Sequence, residues 1–242
     1  MHVFPRYAPA DPAHAARLVR ENPFALVVTV AGGVPVATHA PVLVEDPGGS
    51  GFEGATLVGH LARVNPQWRT WESSPDVLVV FSGPHGYVSP TSYEADPAVP
   101  TWNYAAVHLT GRIEVHPDPL EVVERTVEAM ESSRTPRWRP SAVSREVFAE
   151  IVSGVVAFRV RVTGERGMFK LSQDADDGRR ARVRRDAGPA LAALMDQVDP
   201  RPTSAGQETG PASAGQATGP ASAGQATGPA EAGQAAGPEV AS

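Results

Sequence analysis

Two stretches of strict polar–apolar alternation decide what this chain can fold into. In Val107–Val115, residues Val107, Leu109, Ile113 and Val115 share one face, and His108, Thr110, Arg112 and Glu114 share the other. In Val155–Thr163, Phe158, Val160 and Val162 point away from Arg159 and Arg161. A period of two marks a strand with one side in a core. Four shorter runs rich in β-branched residues, Ala25–Val30, Val34–Val44, Ala55–Leu61 and Val77–Phe81, read as further strands, the first two joined at Gly32-Gly33 as a hairpin. Helical periodicity is confined to three places. Asp11–Glu21 turns Ala15, Leu18 and Val19 inward, Leu120–Ser132 carries a stripe of Leu120, Val123, Val127 and Met130, and Ser144–Val152 forms a third helix. Asn65-Pro66 opens a helical turn. Six strands without strand–helix alternation predict a mainly β (α+β) chain, a six-stranded antiparallel barrel with peripheral helices.

The core must be built from the first part of the chain. From Ser204 the sequence reads SAGQETGPA, SAGQATGPA, SAGQATGPA and EAGQAAGPE, a repeat without aromatic residues. Such a segment cannot bury enough apolar surface to offset the entropy of ordering it. The expected division is a folded domain over 1–198 and a disordered repeat tail over 199–242. The absence of cysteine excludes disulfides, Fe–S clusters and thiol catalysis. No stretch has the apolar length of a membrane span, the N-terminus shows no secretory pattern, and a cytoplasmic location is expected. The net charge of −6 argues against nucleic acid as a partner, and the basic run Arg179–Arg185 reads as a solvated loop. Of the 21 basic residues only Lys170 is a lysine. A chain that otherwise uses arginine keeps an ammonium where it needs a compact, titratable charge.

Polar and aromatic side chains gather in four segments: VGHLARVNPQWRTW (58–71), GPHGYVSPTSY (83–93), VPTWNYAAVH (99–108) and MFKLSQD (168–174). Prolines at 66, 84, 90 and 100 fix the backbone there, as in loops that present side chains rigidly. Taken singly, His60, His85 and His108 read as barrel histidines, Trp68, Trp102 and Tyr104 as core aromatics, and Arg63 as an ion-pair partner. Their joint occurrence favours a site.

Together, from Phe4-Pro5 to about Asp174, these motifs resemble the PaiB family of FMN-binding negative transcriptional regulators. The resemblance implies a split-barrel fold, a homodimer and a cofactor near the interface. The scaffold is also similar to that of piperazate synthases, which bind haem b and cyclise N5-hydroxy-L-ornithine to L-piperazate in nonribosomal peptide antibiotic pathways. Two departures stand out: the family's KLSQN is KLSQD here, with Asp174 last, and its HLP is His39-Ala40-Pro41. A carboxylate beside a flavin phosphate would repel it. The reading is therefore a haem-dependent, N–N bond-forming cyclase acting on a hydroxylated ornithine. The alternative is an FMN-binding oxidoreductase or flavin-binding regulator. By motif position and side-chain chemistry, His60, next to a glycine in the most distinctive motif, is expected as the axial iron ligand, ahead of His85 and His108. Arg63, Asn65, Trp68 and Trp102 hold the cofactor, with Arg63 facing an anion. Tyr87, Ser89, Tyr104 and His108 line the substrate, and Lys170, Ser172 and Gln173 act on it.

Overall fold

Each of the six expected strands forms, and three run well past the alternation that revealed them. They are β1 (Phe24–Ala31), β2 (Val34–Asp46), β3 (Thr56–Ala62), β4 (Asp76–Val88), β5 (Thr101–Val115) and β6 (Val155–Lys170). This computed structural model describes residues 1–94 and 96–199. The repeat from Ser204, and with it the expected disordered tail, lies outside the described residues.

The strands close into a barrel in the order β1-β2-β3-β6-β5-β4, every pair antiparallel. Closure removes the exposed edges that would otherwise pair with another chain. Val27, Leu57, Val79, Phe81, Val107, Leu109, Phe158 and Val160 fill the interior. The segments expected as loops at 83–93 and 99–108 are in large part strand. The β4–β5 ladder shifts register between Ser82 and His85, then continues to Val88↔Thr101. The shift accommodates Pro84, which has no N–H to give a ladder. Pairing of β1 with β4 ends at Leu26↔Val80, so the later rungs of β4 and β5 form an arm beyond β1.

Five helices surround the barrel. In α1 (Pro12–Glu21), Asp11 caps the first turn and Ala15, Leu18 and Val19 are buried, as the periodicity required. The connection from β5 to β6 carries α2 (Pro119–Glu131) and α3 (Ala142–Ile151). The contact line of α2 differs from the expected stripe. Val122 and Thr126 are buried and Met130 is exposed, because the helix rests on a narrow outer patch of Val58 and Ala157. The run expected as a solvated loop is α4 (Asp177–Asp186), which hydropathy could not reveal because arginines do its packing. Arg180 is buried and donates to the Met195 carbonyl at 2.5 Å. Arg182 donates to the Tyr93 carbonyl at 2.8 Å. Arg184 grips Asp196 through two bonds of 2.6 and 2.5 Å. That last contact anchors α5 (Pro189–Val198), a helix the sequence reading did not anticipate, whose Leu191 and Met195 join the core. Among the described residues, no helix is long and apolar enough to cross a membrane.

Gly59 sets how closely β3 lies on the core. A methyl group there would stand 2.5 Å from the Phe158 ring and 2.6 Å from the Pro41 carbonyl oxygen. The ring end can shift, but the carbonyl belongs to backbone that pairs with Phe24 in the β1–β2 ladder. Gly59→Ala is expected to destabilise the fold by about 1–3 kcal/mol, the usual cost of overpacking, read as a lowered midpoint in thermal unfolding.

Candidate cofactor site

Beyond the end of β1, the arm of β4 and β5 presents a row of aromatic side chains. Tyr87 pairs with Trp102, and Tyr104 lies between His85 on one side and Lys170 on the other. Directly opposed residues of an antiparallel ladder project to the same face, so His85, Tyr87, Trp102 and Tyr104 share one surface. The His85 and Trp102 rings stack at 5.9 Å with planes 29° apart, and Trp102 Nε1 donates to His85 Nδ1 at 3.4 Å. Tyr87 meets Trp102 edge-on at 6.0 Å. Trp102 and Tyr87 are nevertheless 48% and 59% exposed, an unusual state for rings held in a fixed row.

Lys170 ends β6 beside this row. Its ammonium donates to the Thr101 hydroxyl and stands 6.0 Å from the centre of the Tyr7 ring. The residues after it hold a turn. Ser172 has a left-handed backbone, φ 58°, stabilised by Asn103, which is fully buried and donates to Ser172 Oγ at 2.9 Å. Gln173 accepts from the Leu171 amide at 2.7 Å and donates to the Phe169 carbonyl at 2.6 Å. Tyr7 donates to Asp174 Oδ2 at 2.8 Å. Burial, followed by that carboxylate, holds the Tyr7 phenol above its ordinary value. Ser89 caps the turn after β4, accepting from the Thr91 amide and hydroxyl.

A second cluster lies at the other end of the sixteen-residue β6. His60 pairs with Ala157 and is half-buried, and its Nδ1 has no hydrogen-bond partner among the described residues. Arg63 donates from Nε to the Ser153 carbonyl at 2.6 Å and from Nη2 to the Val155 carbonyl at 2.8 Å, with no hydrogen bond from Nη1 among the described residues. Asn65 is spent on structure, accepting from the Gln67 amide and donating to Thr38. Trp68 donates to the Arg63 carbonyl at 3.0 Å, with the guanidinium groups of Arg63 and Arg69 5.9 and 5.8 Å from its ring. His108 belongs to neither cluster: it sits mid-strand in β5 between Val80 and Arg166, its Nδ1 also unpartnered.

Tyr7, Thr101 and Asn103 are the contributors that the sequence reading did not single out. Asn103 was findable, as the polar member of the inward set Asn103, Ala105, Val107, Leu109. Nothing local to Tyr7 marks it, because its partner Asp174 is 167 positions away.

Burial lowers the pKa of His60 and of His108 below the ordinary histidine value. The folded chain therefore binds fewer protons than the unfolded chain as pH falls through about 6.5, and the stability present above that pH is lost below it. Thermal unfolding is expected at lower temperature near pH ~5 than near pH ~7, with the gap narrowed in a His60→Gln/His108→Gln variant. An equal gap in the variant would show that neither imidazole is linked to folding.

Known proteins share this sequence and architecture. The family described as "Putative FMN-binding domain" matches residues 1–164. The Bacillus subtilis protein named Protease synthase and sporulation protein PAI 2 is 36% identical over 166 residues, covering 66% of this chain and 75% of that protein. Among solved structures, the flavocytochrome Anf3 of Azotobacter vinelandii superposes with a TM-score of 0.51 at 18% identity, over 74% of this chain and 77% of that one. A conserved hypothetical protein of Mycobacterium tuberculosis gives 0.52 at 12% identity, over 73% and 94%. These two likenesses establish the fold. The family match takes in His60, Arg63, Trp68, Tyr87, Trp102 and Tyr104 and stops short of Lys170 and the turn after it; with the Bacillus relative it shows that the chain belongs to the PaiB-like family of FMN-binding split-barrel proteins.

Proposed function

We propose that the protein is a flavoprotein of the oxidoreductase class, binding FMN against the aromatic row of the β4–β5 arm. The observation that carries this reading is the exposure of Trp102 and Tyr87 in a fixed stack beside the chain's one lysine. A flat isoalloxazine finds there the π-face that every stacking ligand needs. Bound flavin supplies hydride transfer. The chain's own task is to hold the ring, place a cation near its charge and exclude water. Arg63 Nη1 and the Lys170 ammonium are the available cations. Asp174, whose charge would oppose a phosphate, is engaged by the Tyr7 hydroxyl instead.

The two clusters stand at opposite ends of β6, so we place the cofactor between two copies in a homodimer. His60, Arg63 and Trp68 come from one copy, and Trp102, Tyr104 and Lys170 from the other. Covering the aromatic row by a second chain also accounts for rings that water would otherwise meet.

One observation supports haem as a second reading. The His60 imidazole is kept neutral by burial, which is the form that ligates iron. It ranks second because an axial histidine ordinarily donates its other ring N–H to an acceptor that fixes its orientation, and His60 Nδ1 has none among the described residues. On that reading the substrate is N5-hydroxy-L-ornithine and the product L-piperazate. Ser172 and Gln173 are occupied by their turn, which leaves Lys170 to move the proton.

The visible spectrum of the purified protein separates the two. The expected result is the broad yellow flavin pair, with flavin affinity reduced roughly tenfold or more in Trp102→Ala, since one stacking contact is worth about 1–3 kcal/mol. A sharp Soret band that disappears in His60→Ala would reverse the ranking.

A further inference from the structure

Away from both clusters, a cavity of about 610 Å³ opens over the first half of β6, where that strand runs between β3 and β5. Its polar lining is dominated by arginine. Arg112 and Arg161 are direct partners in the β5–β6 ladder, so two guanidinium groups leave the sheet side by side. Like charges directly opposed across strands repel. Arg112 has only a loose contact to Asp76, 3.2 Å, with both side chains mostly in water. Arg161 has no hydrogen bond or ion pair among the described residues. Arg159, the third arginine on the cavity, is already held by Glu45 at 3.1 Å and His116 at 3.0 Å.

Trp71, buried and edge-on to the Phe158 ring at 5.5 Å, also lines the cavity. Thr56, the cross-strand neighbour of Arg161, adds a hydroxyl to the same cavity.

We propose that this cavity binds the phosphoryl group of a small phosphate monoester. Arg161 and Arg112 offer planar donor forks that match a phosphoryl group two oxygens at a time. Thr56, beside Arg161 in the β3–β6 ladder, supplies a further donor. An anion between the two guanidinium groups turns their repulsion into attraction. Two carboxylates border the cavity. Glu114 stands opposite Arg159 in the ladder, and Glu72 lines the cavity, where its charge disfavours large polyanions. The volume greatly exceeds a bare phosphate and lies within the range of small-molecule sites, about 300–1,000 Å³. Pro75, Ile113 and Val115 give the remaining wall an apolar character suited to the ester's organic body.

Calorimetric titration of the cofactor-loaded protein with phenyl phosphate, inorganic phosphate and phenol tests this. Saturable binding of one phenyl phosphate per chain is expected, tighter than inorganic phosphate, competed by it, and absent for phenol. Arg161→Gln is expected to weaken binding at least tenfold while leaving the cofactor absorbance unchanged. The proposal is overturned by the absence of saturable binding, by Arg161→Gln binding as the parent does, or by inorganic phosphate binding more tightly than phenyl phosphate. Release of the cofactor on adding phenyl phosphate would also overturn it, since the ligand would then be occupying the cofactor's own site.

Discussion

The β5–β6 ladder is the member on which the rest of this structure hangs. It runs from Tyr104↔Lys170 at one end to Val115↔Phe158 at the other, and each functional feature takes its place from a rung. The lysine reaches the aromatic row because it pairs with Tyr104. The paired arginines over the 610 Å³ cavity come from the rung Arg112↔Arg161. A slip of one residue would turn every side chain to the opposite face of the sheet. The register is pinned at the irregularity between Thr110 and Gly111. A side chain at Gly111 would stand 2.3 Å from the Arg161 carbonyl oxygen, so only glycine lets the two strands meet there.

Arginine is the second organising theme. In α4 it replaces the apolar stripe a helix of that length usually needs, with Arg180, Arg182 and Arg184 each reaching an acceptor on another element. In the α2 region, Glu45 gathers Arg125 and Arg159, which hold its carboxyl below the usual range against the opposing effect of burial. Against this background the ammonium of Lys170 is chemically distinct. It is a compact point charge with three rotatable donors, where every arginine presents a planar fork.

Strand identity and barrel architecture were legible because period-two patterning reports directly on one-sided burial, as in Val107–Val115 and Val155–Thr163. The arm was less so. Pro84 and the glycines at 83 and 86 interrupt the alternation, and the residues there are aromatic on an exposed face, so the pattern resembled a loop. Helix α4 was illegible because its contacts are charged. The gathering of Trp102, Tyr87, Tyr104 and Lys170 was foreshadowed by their motifs. The separation of that group from His60 and Arg63 was not, since sequence order says nothing of which end of β6 each motif meets. Ser172 and Gln173, expected to act on substrate, close the turn behind Lys170 through Asn103 and backbone groups, a role that no local pattern announced.

The central claim is that one cofactor is shared by the His60 cluster of one copy and the Trp102 cluster of another. Subunit complementation tests it most directly. His60→Ala and Trp102→Ala chains, carrying different affinity tags, are unfolded together, refolded and purified through both tags. In a mixed dimer one site inherits both defects and the other inherits neither. The account predicts one site of unmodified affinity per mixed dimer, and so about half the tightly bound cofactor of the unmodified dimer, with both sites weakened in each variant alone. Mixed dimers that bind as weakly as either parent would contradict it.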